Sequence, residues 1–264
     1  MFKTFTRGLL AAVALCAIVL PARATNYQDL WWNPNESGWG IQIVQQSDTL
    51  FLTWFIYDGA GNPTWVVSDG VTRIASGSSD VYRGRVISAT GTYFGNPIWS
   101  PATPNLRGND VTLTFTDART ATLTYTIDNV TVTKSITRQL LAAIDLSGFY
   151  YGGLTKNASG CTTPGLNGSG AVNSTLQVSH TTLTGAITIN ETSGSFCRFT
   201  GTAQQYGSIF EGSGNFTCSG DGTSGSWTGR NGTGGISTFA MKLAMRPLSD
   251  VCTIDAAIGG FKAF

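Results

Sequence analysis

The chain has 264 residues, of which only 12% are charged, with 16 basic side chains against 15 acidic ones. The basic residues are scattered singly along the chain, which excludes a nucleic-acid-binding surface, because phosphate contacts need clustered Lys and Arg. Long amphipathic helical patterns are absent, whereas Gly, Ser, Thr and Asn are abundant. This composition is typical of an all-β protein that is rich in turns.

The N-terminus has the features of a secretory signal peptide. Lys3 and Arg7 precede an apolar run, and small residues follow it as far as Ala24. The run has about 13 residues, fewer than the roughly 20 that a helix needs to cross a bilayer. We therefore expect cleavage after Ala24, no membrane span, and a protein exported to the periplasm or the extracellular space. Loss of residues 1–24 leaves 13 basic against 15 acidic side chains.

Residues 39–57 have the alternation of a β-hairpin. A turn between residues 47 and 48 places Ile41 opposite Trp54 and makes one face of the hairpin almost wholly apolar, so this face is the expected core side. The opposite face mixes glycine, amide and aromatic residues. We expect that second face to be half-exposed or to line a cavity.

Later strands are predicted from the same period-two alternation. They cover residues 64–68, 81–88, 111–115, 121–127 and 130–136, with turns at 69–70 and 128–129. The prolines between residues 91 and 107 exclude a central strand, because proline cannot donate to a ladder, and they predict a long loop. About seven strands in up-and-down order result.

A domain boundary is predicted between residues 142 and 143. The alternation stops over residues 139–145, which is the one helix-like stretch of the chain, and the composition changes there. Residues 25–142 are expected to form a Trp-rich β-domain, and residues 143–264 a Gly-rich, disulfide-containing β-domain. Each is predicted to be a small antiparallel β-barrel or β-sandwich, so the fold class is all-β.

The four cysteines of the second domain are predicted to form two disulfides. A tight turn at residues 207–208 places Cys197 directly opposite Cys218 on neighbouring strands. Cys161 and Cys252, near the two ends of the domain, are left to pair with each other. Export favours disulfides over zinc, and the sequence has no Cys-x-x-Cys pair, so we expect neither a metal nor a cofactor.

Residues 31–40 read WWNPNESGWG, which places three of the seven tryptophans in ten residues. A strand over residues 50–58 follows, and then an Asn-Pro-Thr-Trp sequence that ends at Trp65. This arrangement resembles the repeated opening of a family of uncharacterised secreted bacterial proteins. The resemblance covers roughly the first half of the mature chain. It implies an exported bacterial β-protein and transfers no catalytic residue.

The sequence offers few catalytic residues. His180 is the one histidine and is predicted at an exposed hairpin tip, and most aspartates lie at turns. Glu36 is the exception, because it lies among the tryptophans of residues 31–39. A carboxylate in such surroundings has a raised pKa or binds a ligand, or else it bonds to the backbone N–H groups of its own corner. We expect no enzyme, and a hydrolase that uses Glu36 is the weakest alternative.

Aromatic residues on the predicted 91–107 loop cannot all belong to a core, so they form a stacking platform for a sugar or cover a barrel mouth. The candidate ligand-binding residues are Trp31, Trp32, Glu36, Tyr93, Phe94 and Trp99. The sequence thus predicts a non-catalytic exported binding module for a glycan, a small apolar ligand or another exported protein. The alternative is a structural or cell-surface assembly protein.

Overall fold

The computed structural model describes residues 25–194 and 196–263. The predicted signal peptide, residues 1–24, lies outside these ranges. The described residues form two closed antiparallel barrels of eight strands each and one short 3-10 helix, Pro164–Leu166. The prediction of two small antiparallel β-structures is confirmed, and both are barrels rather than sandwiches. Within the described residues, no helix has the length and apolarity to cross a membrane.

The first barrel consists of strands β1 to β8. They are β1 (Asp29–Trp32), β2 (Gly40–Gln46), β3 (Thr49–Tyr57), β4 (Pro63–Ala75), β5 (Asp80–Thr90), β6 (Thr103–Phe115), β7 (Thr120–Ile127) and β8 (Val130–Arg138). Each strand pairs with its neighbour along the chain, and β1 also pairs with β8, where Trp31 lies opposite Arg138. This last pairing closes the sheet into a barrel. The expected count of about seven strands is one fewer than the eight that form this barrel.

The predicted hairpin register is confirmed. Ile41 lies opposite Trp54, and Gly40 lies opposite Phe55. Ile41 and Trp54 are fully buried, whereas Phe55 is exposed. Because side chains alternate across a strand, the apolar set fills the barrel and the mixed set lies on its outer wall. The largest buried side chains of this interior are Trp31, Trp54, Tyr82 and Phe115.

Two stretches of the first barrel differ from the prediction. The turn expected at residues 69–70 is an irregularity within β4, where Gly70 has a φ of 58° and the strand continues to Ala75. The predicted loop ends at residue 102, and Pro104 lies in β6 opposite Ala89 of β5. Pro104 is tolerated because β7 pairs with β6 only from Asp110 onwards, so this part of β6 has a free edge.

The second barrel consists of strands β9 to β16. They are β9 (Gly148–Ala158), β10 (Gly168–His180), β11 (Ala186–Glu191), β12 (Cys197–Tyr206), β13 (Ile209–Cys218), β14 (Ser224–Gly234), β15 (Thr238–Pro247) and β16 (Ile254–Lys262). β9 pairs with both β10 and β16, which closes the barrel. Its core includes Tyr150, Phe199, Phe216, Trp227 and Phe239.

Both predicted disulfides are present. Cys197 and Cys218 lie opposite each other on β12 and β13, and the tight turn between these strands is at residues 207–208, as predicted. Cys161 and Cys252 join the connection after β9 to the connection before β16. Disulfides form and persist in oxidising compartments, so the two bonds fit an exported environment.

The connection between the barrels is irregular, so the helix-like stretch expected over residues 139–145 is wrong. Leu146 is fully buried in the core of the second barrel. Its N–H donates to Nδ1 of His180 at 3.4 Å, and Nε2 of the same ring lies 3.2 Å from the Ala203 carbonyl oxygen. The predicted exposed position of His180 is thus wrong. His180 is buried at the end of β10, where its ring holds this connection against the barrel.

Candidate functional site

The connections at residues 33–39, 58–62, 91–102 and 128–129 lie at one end of the first barrel, which we call the upper end. The 91–102 connection carries the exposed aromatic residues of the predicted loop. Phe94 is 89% exposed and Trp99 is 69% exposed. The ring of Tyr93 packs on that of Phe94, with the centroids 4.6 Å apart. These rings face solvent rather than the barrel interior.

The aromatic loop is held in shape by its own hydrogen bonds. The N–H of Asn96 donates to the carbonyl of Tyr93 at 2.9 Å, and the N–H of Ile98 donates to Oδ1 of Asn96 at 3.0 Å. At the base of the loop, the N–H of Ser100 donates to the hydroxyl of Thr92 at 2.9 Å. A loop that is already ordered loses less conformational entropy when it binds a ligand.

A second exposed aromatic pair lies on the outer wall near the upper end. Phe55 and Trp65 are directly opposite each other on β3 and β4 and are 54% and 50% exposed. Gly40, on the other side of Phe55, has no side chain, which leaves the ring of Phe55 open. The alternation of residues 39–57 predicts a face here that is half-exposed or lines a cavity, but neither aromatic residue is among the predicted ligand-binding residues. Their outward positions in two neighbouring predicted strands were the sequence feature that could have identified them.

Trp31 lies in the core and not on a ligand surface. It is fully buried, and its Nε1 donates to the carbonyl of Tyr27 at 2.9 Å. The guanidinium carbon of Arg138 lies 5.0 Å from the Trp31 ring centroid. Trp32 faces the outside of β1 and is half-buried. Because consecutive residues of a strand face opposite sides, one of the two tryptophans had to be a core residue.

Glu36 lies at the upper end, where it forms an ion pair with Lys134 of β8 and accepts a hydrogen bond from Nε1 of Trp39 at 3.1 Å. The hydrogen bond from Lys134 lowers the pKa of Glu36, so the raised pKa considered from the sequence is wrong. Its partners are these side chains rather than the backbone of its own corner. A carboxyl group that acts as a general acid needs a pKa raised towards neutral pH. The pKa of Glu36 is lowered instead.

Lys134 is a further candidate that is not among the residues predicted from the sequence. It lies on the same face of β8 as the buried Ile136, and directly opposite the buried Leu123 of β7. Its side chain is 22% exposed, so the ammonium lies at the rim of the barrel interior. The sequence signal was a lysine at an inward position of the predicted 130–136 strand.

Lys134 lies beside aromatic side chains. Its Nζ lies 5.2 Å from the ring centroid of Trp39. Trp39 and Tyr125 are partly buried against the core, and the ring of Tyr125 meets that of Trp54 edge to face at 5.0 Å. Nε1 of Trp54 is buried and has no hydrogen-bond partner among the described residues. We call the group of Lys134, Trp39, Tyr125 and Trp54 the mouth.

A polar cleft of about 1370 Å³ lies between the opposite, lower end of the first barrel and the second barrel. Loops of the first barrel line it together with Glu211, Arg230 and Asn231 of the second. Tyr27 lies at the cleft wall, where its hydroxyl donates a hydrogen bond to Oδ2 of Asp80 at 2.8 Å. The cleft therefore offers paired polar groups, which suit water or a hydrated ligand better than an apolar one.

No family model and no curated protein matches this chain. Among solved structures, the crystal structure of a "putative outer membrane protein" from Bacteroides fragilis NCTC 9343 is similar to it. The match covers 89% of this chain and 96% of the other, at 14% sequence identity and a TM-score of 0.32. A likeness this distant transfers neither a site nor a function.

Proposed function

We propose that this protein is a non-catalytic exported binding module, and that its ligand is a glycan bound at the upper end of the first barrel. The observation that carries the proposal is a set of exposed aromatic residues at and near one end of the first barrel. We call this set the aromatic surface, and it consists of Phe55, Trp65, Tyr93, Phe94 and Trp99. Exposed apolar patches on a protein surface mark binding sites.

The chemistry around the aromatic surface favours a glycan. A sugar ring presents C–H groups on its faces, which pack on aromatic rings, and hydroxyls at its edges, which need hydrogen-bond partners. Gln42 and Thr53 lie opposite each other on the outer wall, next to the pair that contains Phe55. A small apolar ligand, in contrast, favours an enclosed apolar cavity, and the cleft between the barrels is open and polar.

A glycan array, followed by tryptophan-fluorescence titration of the best glycan, tests the proposal. Trp65→Ala and Trp99→Ala should each weaken binding about tenfold, which corresponds to about 1.4 kcal/mol per lost stacking contact. Tyr151→Ala is the matched control, because Tyr151 is an exposed aromatic residue on β9 of the second barrel. No binding on the array, or equal weakening by all three variants, would contradict the proposal.

The same material tests the other two classes. Reversible self-association that is lost in Trp65→Ala would identify the aromatic surface as an assembly interface instead. Turnover of an ester, peptide or glycoside substrate that disappears in Glu36→Gln would identify an enzyme.

A further inference from the structure

We propose that the mouth of the first barrel is a binding site for a small carboxylate with an aromatic or aliphatic body. In the structure, the cation of that site, Lys134, is paired with Glu36. The mouth is separate from the aromatic surface, so this inference does not depend on the proposed glycan.

The first ground is the position of the cation. Lys134 projects from the inward face of β8, opposite Leu123, and its side chain is only 22% exposed. A lysine on the inward face of a barrel strand is usually paired, because an unpaired charge that is partly removed from water is costly. Here the partner is an acid from the 33–39 connection, 98 residues away along the chain.

The second ground is a polar atom without a partner. Nε1 of Trp54 is buried and makes no hydrogen bond within the described residues, and neither does the hydroxyl of Ser68. Ser68 lies on β4, two residues beyond Val66, which is the residue opposite Trp54. Buried donors in native proteins nearly always have a partner. A carboxylate that enters the mouth would supply an acceptor beside Trp54.

The third ground is the apolar wall. Trp39 and Tyr125 line the mouth, and Ile56 and Ile127 pack against the same part of the core while remaining partly exposed. The site thus combines one cation, one unused indole N–H and an apolar surround. This combination matches a single carboxylate on an apolar body. A phosphate, with more charge and more acceptor oxygens, is better served by several cations.

Glu36 is a suitable internal competitor because its own hold on the site is weak. Its side chain is 42% exposed, and an ion pair that water reaches contributes little to stability. Glu36 also lies on a connection and not within a strand, so it can leave Lys134 without breaking the β1–β2 ladder. A ligand carboxylate therefore replaces one exposed carboxylate with another that brings its own apolar contacts.

Binding of benzoate and hexanoate to the mature chain tests the proposal, with benzamide and hexan-1-ol as neutral counterparts. Calorimetry gives the affinity, and the indole N–H resonances in ¹⁵N NMR spectra report the site. Saturable binding of a carboxylate that shifts the Trp39 and Trp54 resonances is expected. The neutral probes should bind at least about tenfold more weakly, since they lack the charge-assisted contact.

Two variants separate this mechanism from simple surface binding. Glu36→Gln should raise the affinity for the carboxylates several-fold, because it removes the internal competitor, whereas Lys134→Met should abolish carboxylate selectivity. Asp69→Asn is the control for net charge, because Asp69 is an exposed acid on the outer wall. It should leave the affinity unchanged.

An unchanged or lower affinity in Glu36→Gln, equal binding of neutral and charged probes, or no binding at all would overturn the inference. If Lys134→Met fails to fold, two measurements still test the inference. They are the change in carboxylate affinity in Glu36→Gln and the difference in affinity between the charged and the neutral probes. Trp65→Ala, which targets the aromatic surface, should leave carboxylate affinity unchanged, so failure of one site is distinguishable from failure of the other.

Discussion

Oδ2 of Asp29 in the first barrel accepts two hydrogen bonds from Ser208 in the second, one from the backbone N–H at 2.8 Å and one from the hydroxyl at 2.9 Å. The same oxygen lies 2.8 Å from Nη1 of Arg138, whose side chain is fully buried. Arg138 also donates to the carbonyl oxygens of Gln28 and Ala118. One carboxylate thus neutralises a buried cation in the first barrel and binds a turn of the second.

Asp29→Asn should lower the free energy of unfolding of the first barrel by about 3 kcal/mol, because it leaves a buried guanidinium without its counter-charge. Asp69→Asn should cost no more than about 1 kcal/mol, since Asp69 and Arg85 form an exposed pair. Urea unfolding followed by tryptophan fluorescence measures both. Equal effects of the two variants would mean that Arg138 is sufficiently stabilised by backbone carbonyls alone.

Gly207→Ala should loosen the contact between the barrels. Gly207 has a φ of 56°, and a Cβ there would lie 2.3 Å from Oδ2 of Asp29. Gly222→Ala is the matched control, because Gly222 has a φ of 73° and open space around its Cβ position. Both variants share a backbone strain of about 1 kcal/mol, but only Gly207→Ala should accelerate proteolysis within residues 139–147. Equal cleavage rates would show that the junction tolerates a methyl group.

The two disulfides should differ in their contribution to stability. The chain-entropy model gives about 4.6 kcal/mol for Cys161–Cys252, which are 91 residues apart, and about 3.3 kcal/mol for Cys197–Cys218, which are 21 apart. Thermal unfolding of the two paired Cys→Ser variants measures this order. Peptide mapping without reduction should give these two bonds and no Cys161–Cys197 bond. A reversed order would indicate that strain or residual structure outweighs loop closure.

Alkaline pH should destabilise the first barrel through Tyr82. Burial raises the pKa of Tyr82 to about 12, above the value of about 10 in an unfolded chain. The folded state therefore holds the phenol proton more tightly, and this stability is complete below about pH 10 and is lost as the pH rises to about 12. Urea unfolding across this range, with phenolate absorbance, should show the decline.

Tyr82→Phe should make that decline smaller. The Tyr82 hydroxyl is buried without a hydrogen-bond partner in the described part of the chain, so its removal should change stability at neutral pH by less than about 1 kcal/mol. Tyr151→Phe serves as the control, because Tyr151 is exposed. If stability declines equally with pH in Tyr82→Phe and in the wild type, other groups cause the decline. Tyr27 is one such group, because its pKa is also raised.

Local patterns were sufficient for much of the fold. The period-two alternation of residues 39–57 and the tight turn at 207–208 each determine a hairpin register, because both strands lie next to the turn that joins them. The opposition of Cys197 and Cys218 follows from the second register and needs no other part of the chain. These predictions succeeded because pairing, turn and burial all belong to one short segment.

The sequence by itself thus determined an all-β chain, its main hairpins and its cysteine pairs. Only the tertiary structure decided what depends on residues far apart. The closure of β1 on β8 buries Trp31 and leaves Trp32 half-buried on the outer wall, and it brings Lys134 to Glu36 across 98 residues. The contact of Asp29 with Ser208 spans 179 residues. Alternation assigns a side chain to one of two faces, but a closed barrel decides which face is inside and which charges meet at its ends.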